Sequence, residues 1–440
     1  MDKKIQYKNF FHLSSIVTDF FPSSGAKMLD IIFKNLLGNK ALLFFLTNQA
    51  AWRIKRTKKI NRILVVSDLN IGDAIICSSG ITALRKIFPQ AEIDYVIKKS
   101  TKDFFNGNHD ISNLFPIFIG APFPTEEDLS ELSLLIKNKG YDLAVNYSPM
   151  IDAKIYGKIS VINYSLITAQ LVRNEKFAKS INNISYRAYH FISDLFRNYL
   201  PSGFNDNFEG PSIYLSDEAL ETANKFLISN NVSGEIPVIM FNPEASAKYT
   251  RIPFNFQLDL LKRLVGFNCT ILLGSGYIEK NIEQKLLLSL PAENRDKVVI
   301  VPAGFKLDAY TALIDYSDIY ITGDTGPLHL AAARKYSSSD GNSLINKTAV
   351  FSIFGGTPSH IYAYDSKTPG FFAANQDAPS RAFIAPSPCR NITCINKLAK
   401  TCKTVRCFES LDIDEIVSES ANHLENARKY RRRNSTSFVK

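Results

Sequence analysis

The sequence predicts an α/β protein built from two doubly wound, parallel-sheet domains in tandem, and three observations carry that prediction. Short β-rich runs alternate with longer amphipathic ones from Asn61 onward; a polar stretch with two Pro and two Gly, residues 201–212 (PSGFNDNFEGPS), breaks the alternation; a second alternating series follows. With 440 residues and 45% hydrophobic content, the chain holds enough apolar material for two cores. Two such domains are expected to face each other across a central cleft at the carboxyl ends of their strands, where sheets of this kind bind ligands.

Taken in order, the first series places strands over 62–68, 92–99, 114–120, 141–148 and 159–165. Helical spacing is expected over 74–88, stopped by Pro89, and near 126–138 and 186–199. In the second series, strands are expected over 236–243, 269–275, 297–304, 318–324 and 348–355. Helices are expected at about 254–265, 279–289, 308–315 and 327–335. Residues 335–347 form a polar loop, and Asp412 to Arg428 a closing helix. The expected boundaries are 1–60 for an N-terminal extension, 61–205 and 206–411 for the two domains, and 412–440 for the closing helix with a basic tail. No tandem repeat is evident.

The net charge of +10 is concentrated at the ends. Residues 1–60 hold eleven Lys or Arg against three Asp, and residues 426–440 hold six basic and no acidic residues, so the body between them carries −4. That distribution argues against a nucleic-acid enzyme with a basic channel, and fits basic ends meeting an anionic membrane surface or simply keeping the protein soluble. Between Met28 and Arg53 the chain is at its most apolar, but Asp30, Lys34 and Lys40 interrupt it before it reaches the ~20 residues of a bilayer span. With Trp52 and the basic run from Arg53, it suits a helix lying in a membrane interface; packing against the protein itself is the alternative. It lacks the order of a signal peptide, so a cytoplasmic setting is expected.

Cys77 and Cys269 sit in apolar segments and are expected to be buried small hydrophobes. Cys389, Cys394, Cys402 and Cys407 cluster near the C-terminus. A reducing compartment disfavours disulfides, and the spacing is wider than that of common zinc knuckles, leaving a structural metal as a weaker alternative.

Chemistry is concentrated at two turns. In Gly323-Asp-Thr-Gly-Pro-Leu-His329, a strand hands over to a helix whose first turn can tolerate Pro327. Free N–H groups there suit phosphate, the glycines permit close approach, and Asp324 can bond sugar hydroxyls or cap the helix. Asn70-Ile-Gly-Asp73 is the matching turn after the first strand. Asp73 is placed to take a proton from an acceptor hydroxyl, with the helix dipole expected to lower its pKa, or to act only as a cap. The loop lacks GxGxxG, so a nicotinamide enzyme is poorly supported.

Together these turns resemble glycosyltransferase family 9, the heptosyltransferases. The carrying segments are Arg62-ILVVSDLNIGDAIICSSGITALRKIFPQAEIDYVI, Phe241-NPEAS with Arg251-Ile-Pro, Leu272-LGSGYIE279, Ser317-DIYITGDTGPLHLAAA and Phe354-GGTPSH, over about residues 61–411. The resemblance implies the GT-B arrangement of two Rossmann-like domains, the first binding acceptor and the second an ADP-activated sugar. It implies Asp73 as general base, with Asn70 and Gly72 in the acceptor-side loop. Asp324, Thr325, Gly326 and His329 would hold sugar and diphosphate, and Glu279 the ribose. It implies no metal or other cofactor beyond the nucleotide-sugar donor, ADP-heptose. The family's phosphate-binding lysine is replaced by Thr250, with Lys248 or Arg251 as substitutes, which puts the donor's identity in question. The function implied is inverting transfer of a heptose or related sugar to a lipopolysaccharide core or similar glycan, at the inner face of a bacterial inner membrane, without nucleic acid as a partner. A different nucleotide sugar or acceptor, and a membrane-tethered glycan-binding module without activity, are the alternatives.

Overall fold

The computed structural model describes residues 59–119, 124–148, 150–163, 183–206, 208, 210–245, 250–274, 281–336, 348–365, 379–386 and 406–434. The N-terminal extension through residue 58, Lys248, Glu279, most of the 335–347 loop, Cys389, Cys394, Cys402 and residues 435–440 of the basic tail lie outside them. The chain divides into two compact units, with the break after Phe208; the second unit also takes in Asn182–Tyr186.

In the first unit, strands β1 (Arg62–Val66), β2 (Glu92–Lys98), β3 (Asn113–Phe118), β4 (Leu143–Asn146) and β5 (Ser160–Asn163) form one sheet in the order β3-β2-β1-β4-β5. Every pairing is parallel. Parallel strands covered on both faces need continuous apolar runs, and Ile63, Leu64, Val65 and Val66 are accordingly all buried. Helices α1 (Ile71–Ile87) and α2 (Glu126–Lys139), and α3 (Ile184–Leu195) from Arg187 onward, belong to this unit. On α1, Gly80 lies so close to Tyr147 that a Cβ there would stand 2.0 Å from the phenol oxygen. Helix α2 begins in a capping box between Thr125 and Asp128 and ends at Gly140, whose φ of 64° is left-handed.

In the second unit, β6 (Val238–Phe241), β7 (Thr270–Leu273), β8 (Val298–Ile300), β9 (Ile319–Gly323), β10 (Ala349–Phe354) and β11 (Ser380–Ile384) form a parallel sheet in the order β11-β10-β9-β6-β7-β8. Its helices are α4 (Asp217–Ser229), α5 (Phe254–Leu264), α6 (Ile282–Leu288), α7 (Leu307–Tyr316), α8 (Gly326–Tyr336), α9 (Ser359–Tyr362) and α10 (Ile413–Asn434). One apolar core joins β6, β7, β9 and β10 to α5 and α10; the other joins them to α4, α7 and α8.

Helix α4 and strand β11 are additions to the sequence-based expectation. Helix α4 carries a start signal in its sequence, because Ser216 accepts the amide N–H of Ala219 at 3.2 Å and two acids follow it. Strand β11 is a short edge strand holding Ser and Arg, too polar to stand out by hydrophobicity.

Each sheet reverses its winding at one place: between β1 and β4 in the first, and between β6 and β9 in the second. At such a point the flanking loops leave in opposite directions and open a crevice at the carboxyl ends of the strands.

Candidate functional site

Both turns singled out from sequence lie at these switch points, one per unit. In the first unit, β1 runs out at Val66 and the chain crosses Ser67-Asp68-Leu69-Asn70 into α1, with Asp73 in its first turn. Asn70 occupies the N-cap position but makes no side-chain cap; its Oδ1 instead accepts from Lys98 Nζ at 3.0 Å. Lys98 closes β2 and is only 7% exposed, which makes it a buried cation beside this turn. Asp68 is also buried, and among the described residues its Oδ1 has no hydrogen-bond partner. Burial raises the Asp68 carboxyl above its usual range, opposed by a hydrogen bond from Ser148, after β4, and by the charge of Lys98.

The Asp73 side chain is exposed, with buried Gly72 and Ala74 on either side. The expectation that the helix dipole sets a low pKa is corrected here. Desolvation by the surrounding protein pushes the Asp73 carboxyl up, with Lys98 pulling the other way. A carboxylate with a raised pKa is a stronger base than a free aspartate. Burial, with the charge of Asp73 added, drives the Cys77 thiol far upward, which leaves Cys77 an inert packing residue.

In the second unit, β9 ends at Gly323, Asp324 and Thr325 form the crossing, and α8 starts at Gly326. A Cβ at Gly323 would approach the Thr250 carbonyl to 3.3 Å, so the strand end is pressed against the loop that follows β6. Thr325 is buried, and its Oγ1 lies 3.2 Å from Thr322 Oγ1 and 3.4 Å from Asn242 Nδ2, which also donates to Thr322 at 2.9 Å. Thr325 thus ties the β9 turn to the β6 turn, leaving Asp324 and Gly326 as the half-exposed members of a buried run. His329, one turn into α8, is 6% exposed and places Nδ1 2.9 Å from Tyr364 Oη. Burial lowers its pKa to about 4, so it is neutral at physiological pH. At the far end of α8, Arg334 pairs with Asp315 of α7 at 2.8 Å and bonds the Ile213 carbonyl, anchoring the helix that carries the motif.

Arg251 is half-buried, 3.0 Å from Glu244 Oε2, and donates to the Ala245 carbonyl. Its charge is met within the unit, which weakens it as a replacement for a phosphate-binding lysine. Cys407 is half-buried, and among the described residues no group of three or more His, Cys, Asp or Glu is placed to hold a metal ion. No described helix is long and apolar enough to cross a membrane.

Lys98, Asp68 and Ser148 in the first unit, and Asn242 and Tyr364 in the second, were not identified from sequence. Lys98 and Asp68 end strands in the ordinary way of solvated polar residues, and only the neighbouring strands make them buried. Asn242-Pro243 directly after a strand was the available signal.

Residues 192–337, which include the β6 and β9 turns, match the model of Glycosyltransferase family 9 (heptosyltransferase). Among solved structures, that of the glycosyl transferase family 9 protein from Veillonella parvula DSM 2008 superposes with a TM-score of 0.60 at 16% identity, covering 83% of this chain and 97% of that one. The E. coli ADP-heptose lps heptosyltransferase II gives a TM-score of 0.54 at 17% identity, over 82% and 98% of the two chains. At these identities the likeness establishes the fold, two parallel-sheet α/β domains of the GT-B heptosyltransferase kind. No curated protein sequence matches the chain.

Proposed function

We propose that this chain, which carries a glycosyltransferase family 9 domain, transfers a heptose or related sugar, with inversion, from an ADP-activated donor to a lipopolysaccharide core or similar glycan. The observation that carries the reading is the coincidence of both chemical turns with the two sheets' switch points, the Asp73 turn at β1/β4 and the Asp324 turn at β6/β9.

In this scheme Asp73 takes the proton of an acceptor hydroxyl as that oxygen attacks the anomeric carbon. The bond from that carbon to the diphosphate breaks, and the electron pair leaves with ADP. Amide N–H groups and the dipole of α8, beginning at Gly326, stabilise the charge that develops on the departing oxygen. Asp324 holds sugar hydroxyls, His329 a ligand oxygen, and Glu279 the ribose; Lys248 supplies the cation that Arg251, paired with Glu244, does not. Neither metal nor further cofactor enters the scheme. Asn70 and Gly72 shape the acceptor-side loop. The basic N-terminal extension docks the enzyme on the anionic cytoplasmic face of the inner membrane, where a lipid-linked acceptor is found.

A second reading keeps the fold but changes the nucleotide, and Thr250 favours it. This residue, which stands where the family has a lysine, is buried and gives a phosphate no charge.

Calorimetry with ADP, UDP, GDP, CMP and ADP-heptose tests both. Selective ADP and ADP-heptose binding is expected, with Asp324→Ala weakening ADP-heptose about tenfold or more, the loss of a charged hydrogen-bond acceptor. Preference for another nucleotide transfers the assignment to the second reading, and binding of none rejects both.

A further inference from the structure

We infer that Tyr364 is a positioning residue: its hydroxyl, backed by Ser185, donates to Nδ1 of His329 and fixes the imidazole as the Nε2–H tautomer, a hydrogen-bond donor to ligand oxygen. The ligand half of this inference rests on the donor-site reading of the Gly323 to His329 turn.

Three buried groups are linked in succession. His329 Nδ1 lies 2.9 Å from Tyr364 Oη, and Tyr364 Oη lies 3.1 Å from Ser185 Oγ. Tyr364 and Ser185 are buried, and the Tyr364 ring meets the imidazole edge-on with centroids 5.6 Å apart at 79°. Ser185 is held in turn, its amide donating to Asn183 Oδ1 at 2.8 Å while Asn183 Nδ2 donates to the Ala363 carbonyl at 2.7 Å. Residues 363 and 364 are therefore bonded to residues 183 and 185 of the same unit, and the phenol has little freedom to swing away.

The direction of the phenol bond follows from acidity. A phenol is a stronger proton donor than an alcohol, and an imidazole nitrogen a stronger acceptor than a hydroxyl oxygen, so the favoured arrangement is Tyr O–H to Nδ1. Burial keeps His329 neutral, so the ring carries one proton, and Nδ1 as acceptor puts it on Nε2. Among the described residues nothing bonds Nε2. Standing in the first turn of α8, Nε2–H adds a side-chain donor to the helix's own amides, a set suited to a diphosphate or sugar oxygen. A neutral Nε2–H cannot accept a proton, so His329 does not compete with Asp73 as a base.

The test uses the full chain labelled with 15N. Two-bond 1H–15N correlations at pH 7 report the tautomer, with His329→Gln identifying the resonance. The Nε2–H form is expected in the wild type, with ADP moving the Nε2 signal. Tyr364→Phe is expected to give a mixed tautomer and about fivefold weaker ADP binding, the loss of one neutral hydrogen bond; Ser185→Ala should act in the same direction and less. A wild-type Nδ1–H tautomer overturns the inference, and needs no variant that has to fold. Tyr364→Phe with unchanged spectrum, or with unchanged ADP affinity, overturns it as a positioning role. If no nucleotide binds while the tautomer is as expected, the donor-site reading fails and the tautomer assignment stands.

Discussion

Asp73 and His329 are both displaced from their ordinary acidity, Asp73 upward through desolvation by the surrounding protein and His329 downward through burial. For Asp73 the carboxyl is pushed up and Lys98 holds it back, so the acid limb of the transfer rate is expected above the usual carboxylate range. Lys98→Met should move that limb to higher pH, whereas Asp73→Asn should abolish transfer and leave ADP binding within about twofold of wild type. Measurable turnover by Asp73→Asn would remove it as the base. For His329, the folded pKa of about 4 lies below the ordinary 6.5. Between those values the unfolded chain binds a proton that the folded chain refuses, so this contribution to stability is complete above pH 6.5 and is lost as pH falls towards 4. The full difference is about 3 kcal/mol. Urea unfolding at pH 5 and pH 7.5 should show the loss in wild type and a smaller one in His329→Gln; equal losses would reject the assignment. At this scale the sequence made Asp73, Asp324 and His329 legible because glycines and a strand-to-helix handover mark their turns. Lys98 and Tyr364 were hidden, since what makes each informative is a partner distant in sequence: Asn70 for Lys98, and His329 with Ser185 for Tyr364.

Elements were more legible than their partners. Apolar runs and breakers located ten of the eleven strands among the described residues, because a parallel strand buried on both faces has little choice but Val, Ile, Leu and Phe. Strand β11 escaped because an edge position tolerates polar residues, and α4 because its cap, not its apolar content, announces it. Spacing between elements imposes further demands that no periodicity reveals. After β7, the carbonyl of Gly274 accepts from Tyr310 Oη at 2.8 Å, and a Cβ at Gly274 would fall 2.6 Å from the Cβ of Val301. Two backbones there are too close for any side chain on both. Gly274→Ala is therefore expected to cost about 1–3 kcal/mol, read as a lower urea midpoint with unchanged slope. A midpoint equal to wild type would show that the loop yields freely.

On the scale of the whole molecule, the sequence offers the polar stretch 201–212 as the expected linker, and the two compact units part after Phe208. It could not show that a short earlier piece, Asn182–Tyr186, is held by the second unit, because that assignment comes from single side chains: Asn183 on the Ala363 carbonyl and Ser185 on Tyr364. Helix α3 therefore starts as part of one unit and finishes as part of the other. This bears on how relatives could trade halves. A chimera joined in the evident linker would bring one parent's Tyr364 and the other parent's residues at 183 and 185, severing the brace behind His329. The seam for recombination that keeps the brace intact runs before Asn183, with the rest of α3 restored from the first parent beyond Tyr186, so that the interchangeable part is not a contiguous stretch of gene.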